Sequence, residues 1–190
     1  MPHVLRSCAT RFAAVVLASS LAGSDVAAQA ADRGLVVGAG LAAPGGELGR
    51  TQQSGQHLQV GLEQRWATHP VAVRLEGMAY QFSGEYLWAA GERVRFAQQR
   101  VFTIGASALF RLPVGPAAPY LVSGAGYAFE TGQWPRRGMS LNGGVGLELP
   151  IGGLLPFVEA RYHALDPFAR SAERFGARRW VVPVTVGLRF

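Results

Sequence analysis

The sequence predicts an all-β chain folded as a transmembrane eight-stranded antiparallel up-and-down β-barrel. Three observations predict it: alternating strands recur along the chain, short and long connections take turns between them, and the last alternating strand ends in Phe190. Alternation with period two gives a strand two unlike faces. A membrane barrel turns the apolar face to lipid and the polar face to its lumen.

The 190 residues leave room for one domain. Its start is read separately. Arg6 and Arg11 form a basic region, Phe12 to Leu21 an apolar core, and Ala28-Gln29-Ala30 a small-x-small cleavage site. Residues 1–30 are therefore expected to be a cleaved signal peptide, and 31–190 the barrel domain. Cys8, the single cysteine, precedes the apolar core, so the mature chain is expected to carry neither a disulfide nor a thiolate metal site. After the leader no apolar run approaches the roughly 20 residues of a membrane-spanning helix. Lipid can then be crossed only by a closed barrel, which leaves no strand edge unpaired.

Strand one covers about Gly34 to Ala42, with Leu35, Val37, Ala39 and Leu41 on one face. Pro44 to Gln56 is loop by composition. Strand two, about His57 to Trp66, sets Leu58, Val60, Leu62 and Trp66 outward and Gln59, Gly61, Glu63 and Arg65 inward. Strand three starts at Val71, with Val73 and Leu75 outward and Arg74 and Glu76 inward. Gly77 to Phe82 allows two readings: Met78 and Tyr80 face inward, or a bulge moves them out. Ser83 to Gln98 is long and polar.

Strand four, about Arg100 to Leu112, alternates cleanly, with Phe102, Ile104 and Phe110 on one face and Thr103, Ser107 and Arg111 on the other. Pro113 to Pro119 turns the chain tightly. Strand five, Tyr120 to Phe129, is rich in glycine and alanine and weaker in pattern. Strand six, Met139 to Leu149, points Leu141, Val145 and Leu147 outward and Asn142, Gly146 and Glu148 inward. Strand seven, about Leu155 to Leu165, places Val158 and Tyr162 outward and Glu159, Arg161 and His163 inward. A long basic loop, Asp166 to Arg178, precedes strand eight, Trp180 to Phe190. There Pro183, lacking an N–H, is expected to mark a bulge.

Short turns around Thr68, Val114 and Ile151 separate long polar loops around Gly45, Gly91, Trp134 and Arg170. Short turns belong to the periplasmic side of such a barrel and long loops to the outside. On that topology Trp66, Phe110, Tyr120 and Phe190 are expected at one lipid interface and Phe102, Tyr162 and Trp180 towards the other. The inward list mixes both signs of charge: Glu63, Arg65, Arg74, Glu76, Arg111, Glu148, Glu159, Arg161, His163 and Arg189. Eight strands enclose only enough room for side chains. These groups are thus expected to pair as a polar plug.

The alternating strands, Pro119-Tyr120 opening strand five and the terminal Phe190 together resemble the small eight-stranded outer-membrane barrels of the OmpA/OmpX-like, barrel-only type. The resemblance covers about Arg33 to Phe190 and implies residence in a Gram-negative outer membrane, with Phe190 read by the barrel-assembly machinery. It implies a structural or surface-interaction role through the loops of a monomer, with outer-membrane lipid and lipopolysaccharide as partners and no nucleic acid or cofactor.

An enzymatic alternative rests on Glu159, Arg161 and His163, which share one strand face, so that a carboxylate could orient the imidazole. The lipid A deacylase family has a nucleophilic serine two residues after its histidine. Here Leu165 stands in that place, and His163 reads as a lumen residue, so no catalytic residue is expected. A narrow channel or small-ligand transporter, and a soluble lipocalin-type barrel, are the remaining alternatives. The formal net charge of +6 comes from arginine alone. The loop arginines Arg93, Arg95, Arg136, Arg137, Arg170, Arg174, Arg178 and Arg179 read either as solvated charge or as contacts for lipopolysaccharide phosphates.

Overall fold

A computed structural model describes residues 31–84, 86–89, 92–112, 117–132, 135–151, 154–168 and 178–190, with backbone alone at 31, 86–89 and 92–95. The leader expected over residues 1–30 lies outside them, as do Gly91, Val114, Trp134, Arg170 and Arg174. The strands are β1 (Ala31–Gly46), β2 (Gly55–Trp66), β3 (Val71–Phe82), β4 (Tyr86–Ala89), β5 (Glu92–Arg95), β6 (Gln99–Arg111), β7 (Ala118–Thr131), β8 (Arg137–Glu148), β9 (Leu155–Leu165) and β10 (Arg179–Arg189). Eight of them close a barrel in the order β1-β10-β9-β8-β7-β6-β3-β2, while β4 and β5 form a separate hairpin.

Every neighbouring pair in the barrel is antiparallel. Closure between β1 and β10 pairs Val36 with Arg189 and Gly46 with Arg179, so no edge is left free. Sequence alternation accounts for the faces: in β2 His57, Gln59, Glu63 and Arg65 are buried while Leu58, Val60 and Leu62 are exposed. The exposed large side chains elsewhere, from Ile104 and Phe110 to Val145 and Val186, follow the same rule.

The pairing settles two registers that alternation leaves open. β3 runs in one unbroken register from Val71 to Phe82 against β6, so there is no bulge and Met78 and Tyr80 point inward. At Pro183 the ladder to β9 lapses between Val181 and Val184 and resumes in the same register, whereas the ladder to β1 continues through Ala42. The expected bulge is absent: the missing N–H interrupts one ladder without inserting a residue.

The connections depart from strict alternation. β7 and β8 extend to Thr131 and Arg137, leaving only 132–136 between them, a span no longer than the short turns at 112–117 and 149–154. The polar segment after β3 holds the β4–β5 hairpin, and the β1–β2 connection holds a 3-10 turn, Leu48–Arg50. That turn drops Leu48 into the barrel mouth, where it joins Tyr80, Phe82, Val101 and Val181 in an apolar cluster. Gln52 bridges to Gly84 and its Nε2 donates to the Ala97 carbonyl at 3.1 Å, which ties the first two loop-end connections together.

Candidate functional site: the barrel interior and its rim

The short-turn half of the interior is a continuous ion-pair network. Glu63 accepts from Arg74 at 2.7 Å, from Arg65, and lies 3.5 Å from Arg189, which reaches Asp32 at 2.7 Å. Arg65 also pairs with Glu148. Arg74 continues to Glu159 at 3.0 Å, Glu159 to Arg161 at 2.5 Å, and Arg161 to Glu76 at 2.5 Å. Gln59 and the Ser107 hydroxyl donate to Glu76 at 2.7 and 2.6 Å. Buried glutamates and arginines alternate along this path, so each charge sees the opposite sign, as burial demands.

Geometry across the barrel gives these pairs their meaning. In a closed ring of eight, the fourth neighbour is the opposite strand; β3 faces β9, and β2 faces β8. Arg74–Glu159, Arg161–Glu76 and Arg65–Glu148 therefore cross the lumen. The Arg74 guanidinium also stands 5.5 Å from the Phe157 ring centroid.

The loop half is built differently. Tyr80 stacks on Phe82 at 6.1 Å and on His57 at 5.6 Å, and meets the edge of His163 at 6.0 Å. His57 Nε2 shares a hydrogen bond with Thr185 Oγ1 at 2.8 Å. His163 is 2% exposed and neither ring nitrogen has a hydrogen-bond partner among the described residues. Where the two halves meet, a void of about 10 Å³ is lined by Glu76, Thr103, Ser140, Asn142 and His163. That is the space one water needs.

Above this half a polar rim closes the mouth. Arg179 pairs with Glu130 through two bonds and lies 3.8 Å from Glu47; Arg136 meets Glu47 at 3.2 Å, and Gln99 donates to Glu130 at 2.7 Å. The rim joins β6, β7, β10 and the connections that follow β1 and precede β8.

Of the expected interior residues, Glu63, Arg65, Arg74, Glu76, Glu148, Glu159, Arg161 and Arg189 enter the ion-pair network. His163 faces inward but lies in the aromatic half, with Glu159 committed to Arg74, Arg161 and Tyr120 rather than to its imidazole. Arg111 is half-buried, its Nε lacks a partner, and it forms no ion pair among the described residues. Trp66, Phe102, Phe110, Tyr162 and Phe190 are exposed on the outer face, and Trp180 lies 5.6 Å from Tyr162 there.

Tyr120 is a correction. It points into the lumen, 2% exposed, and its hydroxyl donates to Glu159 at 2.8 Å. The opposing Gly146 makes this possible, since a Cβ there would fall 2.1 Å from the ring. That pairing is a matter of register, invisible until β7 is set against β8. Gln59 and Ser107 are legible as strand positions, but nothing in the sequence marks them as groups that complete the network, and Asp32, which pairs with Arg189, stands before the strand expected from about Gly34.

No protein-family model matches the sequence, and neither does any curated protein sequence. Solved structures do match in shape. Neisserial surface protein A superposes with a TM-score of 0.60 at 12% identity, over 85% of this chain and 98% of its own. A major outer membrane protein from Thermus thermophilus gives 0.51 at 16% identity, over 85% of this chain and 100% of its own. At such identities it is the fold that is shared. The chain has the fold of the small eight-stranded outer-membrane β-barrels, closed, antiparallel and up-and-down.

Proposed function

We propose that this chain is a non-enzymatic outer-membrane barrel with a plugged lumen, acting structurally or through surface contacts made at its loop end. The observation that carries the reading is the set of charge pairs bridging opposite strands. Opening a pore along the axis would pull apart the guanidinium–carboxylate pairs that cross it. The outer face supports the location: Leu41, Leu58, Ile104 and Val186 are each more than 60% exposed. Lipid accepts such a surface, and water does not. On this reading the leader over residues 1–30 exports the chain, Phe190 is presented to the assembly machinery, and the rim of Arg179, Glu130 and Glu47 faces the outside.

Fractionation of cells followed by gel mobility with and without boiling tests the first half. A heat-modifiable band in the outer-membrane fraction is expected; a soluble, unshifted species would defeat the proposal. Planar-bilayer recording tests the plug, where steady unitary conductance is the contrary result. Mass spectrometry of lipid A from cells with and without the protein tests the absence of catalysis, and a changed acyl pattern would replace this reading with an enzymatic one.

A further inference from the structure

The chain uses more residues between β1 and β2 than the join requires. A loop of about two residues can link neighbouring antiparallel strands, and Ala42 already pairs with Gly55. Yet β1 runs on to Gly46, and residues 47–54 fold back over the mouth of the barrel. Gly46 makes the inward turn at φ +63°, where a Cβ would meet the Arg178 carbonyl oxygen at 1.7 Å. The strap that follows is tied at both ends: the Glu47 N–H donates to the Arg178 carbonyl at 3.1 Å, and the Gln53 N–H to that of Ser83 at 2.9 Å.

Between those ties the strap sets two unlike groups in two unlike places. The Glu47 carboxylate accepts from both terminal nitrogens of Arg136, at 3.2 and 3.5 Å, and lies 3.8 Å from Arg179 Nε. The next side chain, Leu48, is 1% exposed and joins Tyr80, Phe82, Val101 and Val181 of the barrel wall. A cationic rim above an apolar seat is thus filled by an anion and an aliphatic side chain that come from outside the wall. The Glu47–Arg136 pair is open to solvent and holds weakly. Arg179 keeps its two bonds to Glu130 whether or not Glu47 is there. Below, the pairs that cross the lumen close the barrel, so the seat is a blind cup.

We propose that this mouth is a binding site for a small aliphatic carboxylate, and that Glu47-Leu48 is its built-in competitor. The ligand's carboxylate takes the place of the Glu47 carboxylate on Arg136, its tail takes the place of the Leu48 side chain, and the strap swings outward on Gly46. The room left by one leucine side chain restricts the tail to a short one, and the network beneath means that the ligand enters and leaves by the same mouth. The inference goes beyond the surface contacts proposed above. It needs the closed barrel and its strap, and does not depend on where the barrel resides.

The test titrates the refolded full chain, in neutral maltoside micelles, with hexanoate, hexylammonium and 1-hexanol, and follows the methyl resonances of Val101 and Val181. Partition of each probe into the micelle is common to all variants, so it cancels when variants are compared. Hexanoate is expected to shift these resonances and hexylammonium to leave them in place. Leu48→Ala withdraws the competing side chain and is expected to tighten hexanoate about ten-fold, the equivalent of roughly two buried methylenes. Glu47→Gln frees Arg136 and is expected to tighten it about three-fold, as one exposed ion pair would. Arg136→Gln is expected to lower the preference for hexanoate over 1-hexanol, again about three-fold. Glu47 lies on the exposed rim, so Glu47→Gln decides the matter if Leu48→Ala disturbs folding. Hexanoate held no more tightly by the folded strap variants than by the unsubstituted chain overturns the competitor, and equal shifts from hexylammonium overturn the choice of a carboxylate. If hexanoate moves neither resonance in any folded form of the chain, the site itself is overturned.

Discussion

Towards the short turns the barrel interior is held by guanidinium–carboxylate pairs that cross from strand to opposite strand; towards the loops it is filled by Tyr80, Phe82, Val101, Leu165 and Val181 around two histidines. Both halves occupy the same narrow ring of eight strands. The first joins opposite walls by directional bonds, and the second fills volume by stacking. In the network each charge depends on a named partner, so its cost is concentrated in single residues. In the aromatic half contact is shared, so loss of one polar atom matters little.

The largest expected effect breaks the network at its centre. Arg74→Met leaves Glu63 and Glu159 short of a cation and is expected to destabilise the barrel by about 3–5 kcal/mol, read as a lower midpoint for urea unfolding in lipid vesicles. If the loss is under about 1 kcal/mol, the contrast between the halves fails. A paired replacement sharpens it. Arg65→Met strands Glu148, which pairs with Arg65 alone among the described residues; Arg65→Met with Glu148→Met removes both charges, and is expected to be more stable than the single variant by about 3–5 kcal/mol.

Two tyrosines compare the halves with the same chemical change. Tyr120→Phe removes a donor from buried Glu159 and is expected to cost about 1–3 kcal/mol. Tyr80→Phe removes a hydroxyl whose acceptor is the Met78 sulfur at 3.2 Å, and is expected to cost less than about 1 kcal/mol. Equal midpoints for the two variants would mean that the halves do not differ in how they are held.

The same division explains how much of the molecule is legible in the sequence. Alternation is clearest where the lumen is charged and the outside apolar, as in Val73-Arg74-Leu75-Glu76 and Val158-Glu159-Ala160-Arg161. From Gly77 to Phe82 the contrast reverses, because the aromatic half puts Met78, Tyr80 and Phe82 inside while the small residues Gly77 and Ala79 take the outward positions. A rule that assigns large apolar residues to lipid cannot place such a stretch. Tyr120 escapes the rule for a related reason: its position at a strand end suggests an interface, while the room opposite it at Gly146 depends on register. His163 faces the lumen but meets the Tyr80 ring and the wall of a small void without entering an ion pair, and Leu48 enters the lumen from a segment with no strand pattern.

The smallest expected effect lies at the rim, which resembles the network in its residues and the surface in its solvent. Arg136 pairs with Glu47 at 3.2 Å with both side chains well exposed, and such a pair contributes about 0–1 kcal/mol. Arg136→Gln is therefore expected to leave the unfolding midpoint almost unchanged. Arg179 also reaches Glu47, but it is largely buried and bound twice to Glu130, so Arg179→Gln is expected to cost more, about 1–3 kcal/mol. If the two variants unfold alike, burial does not set the strength of these pairs, and the distinction drawn between interior and rim is lost with it.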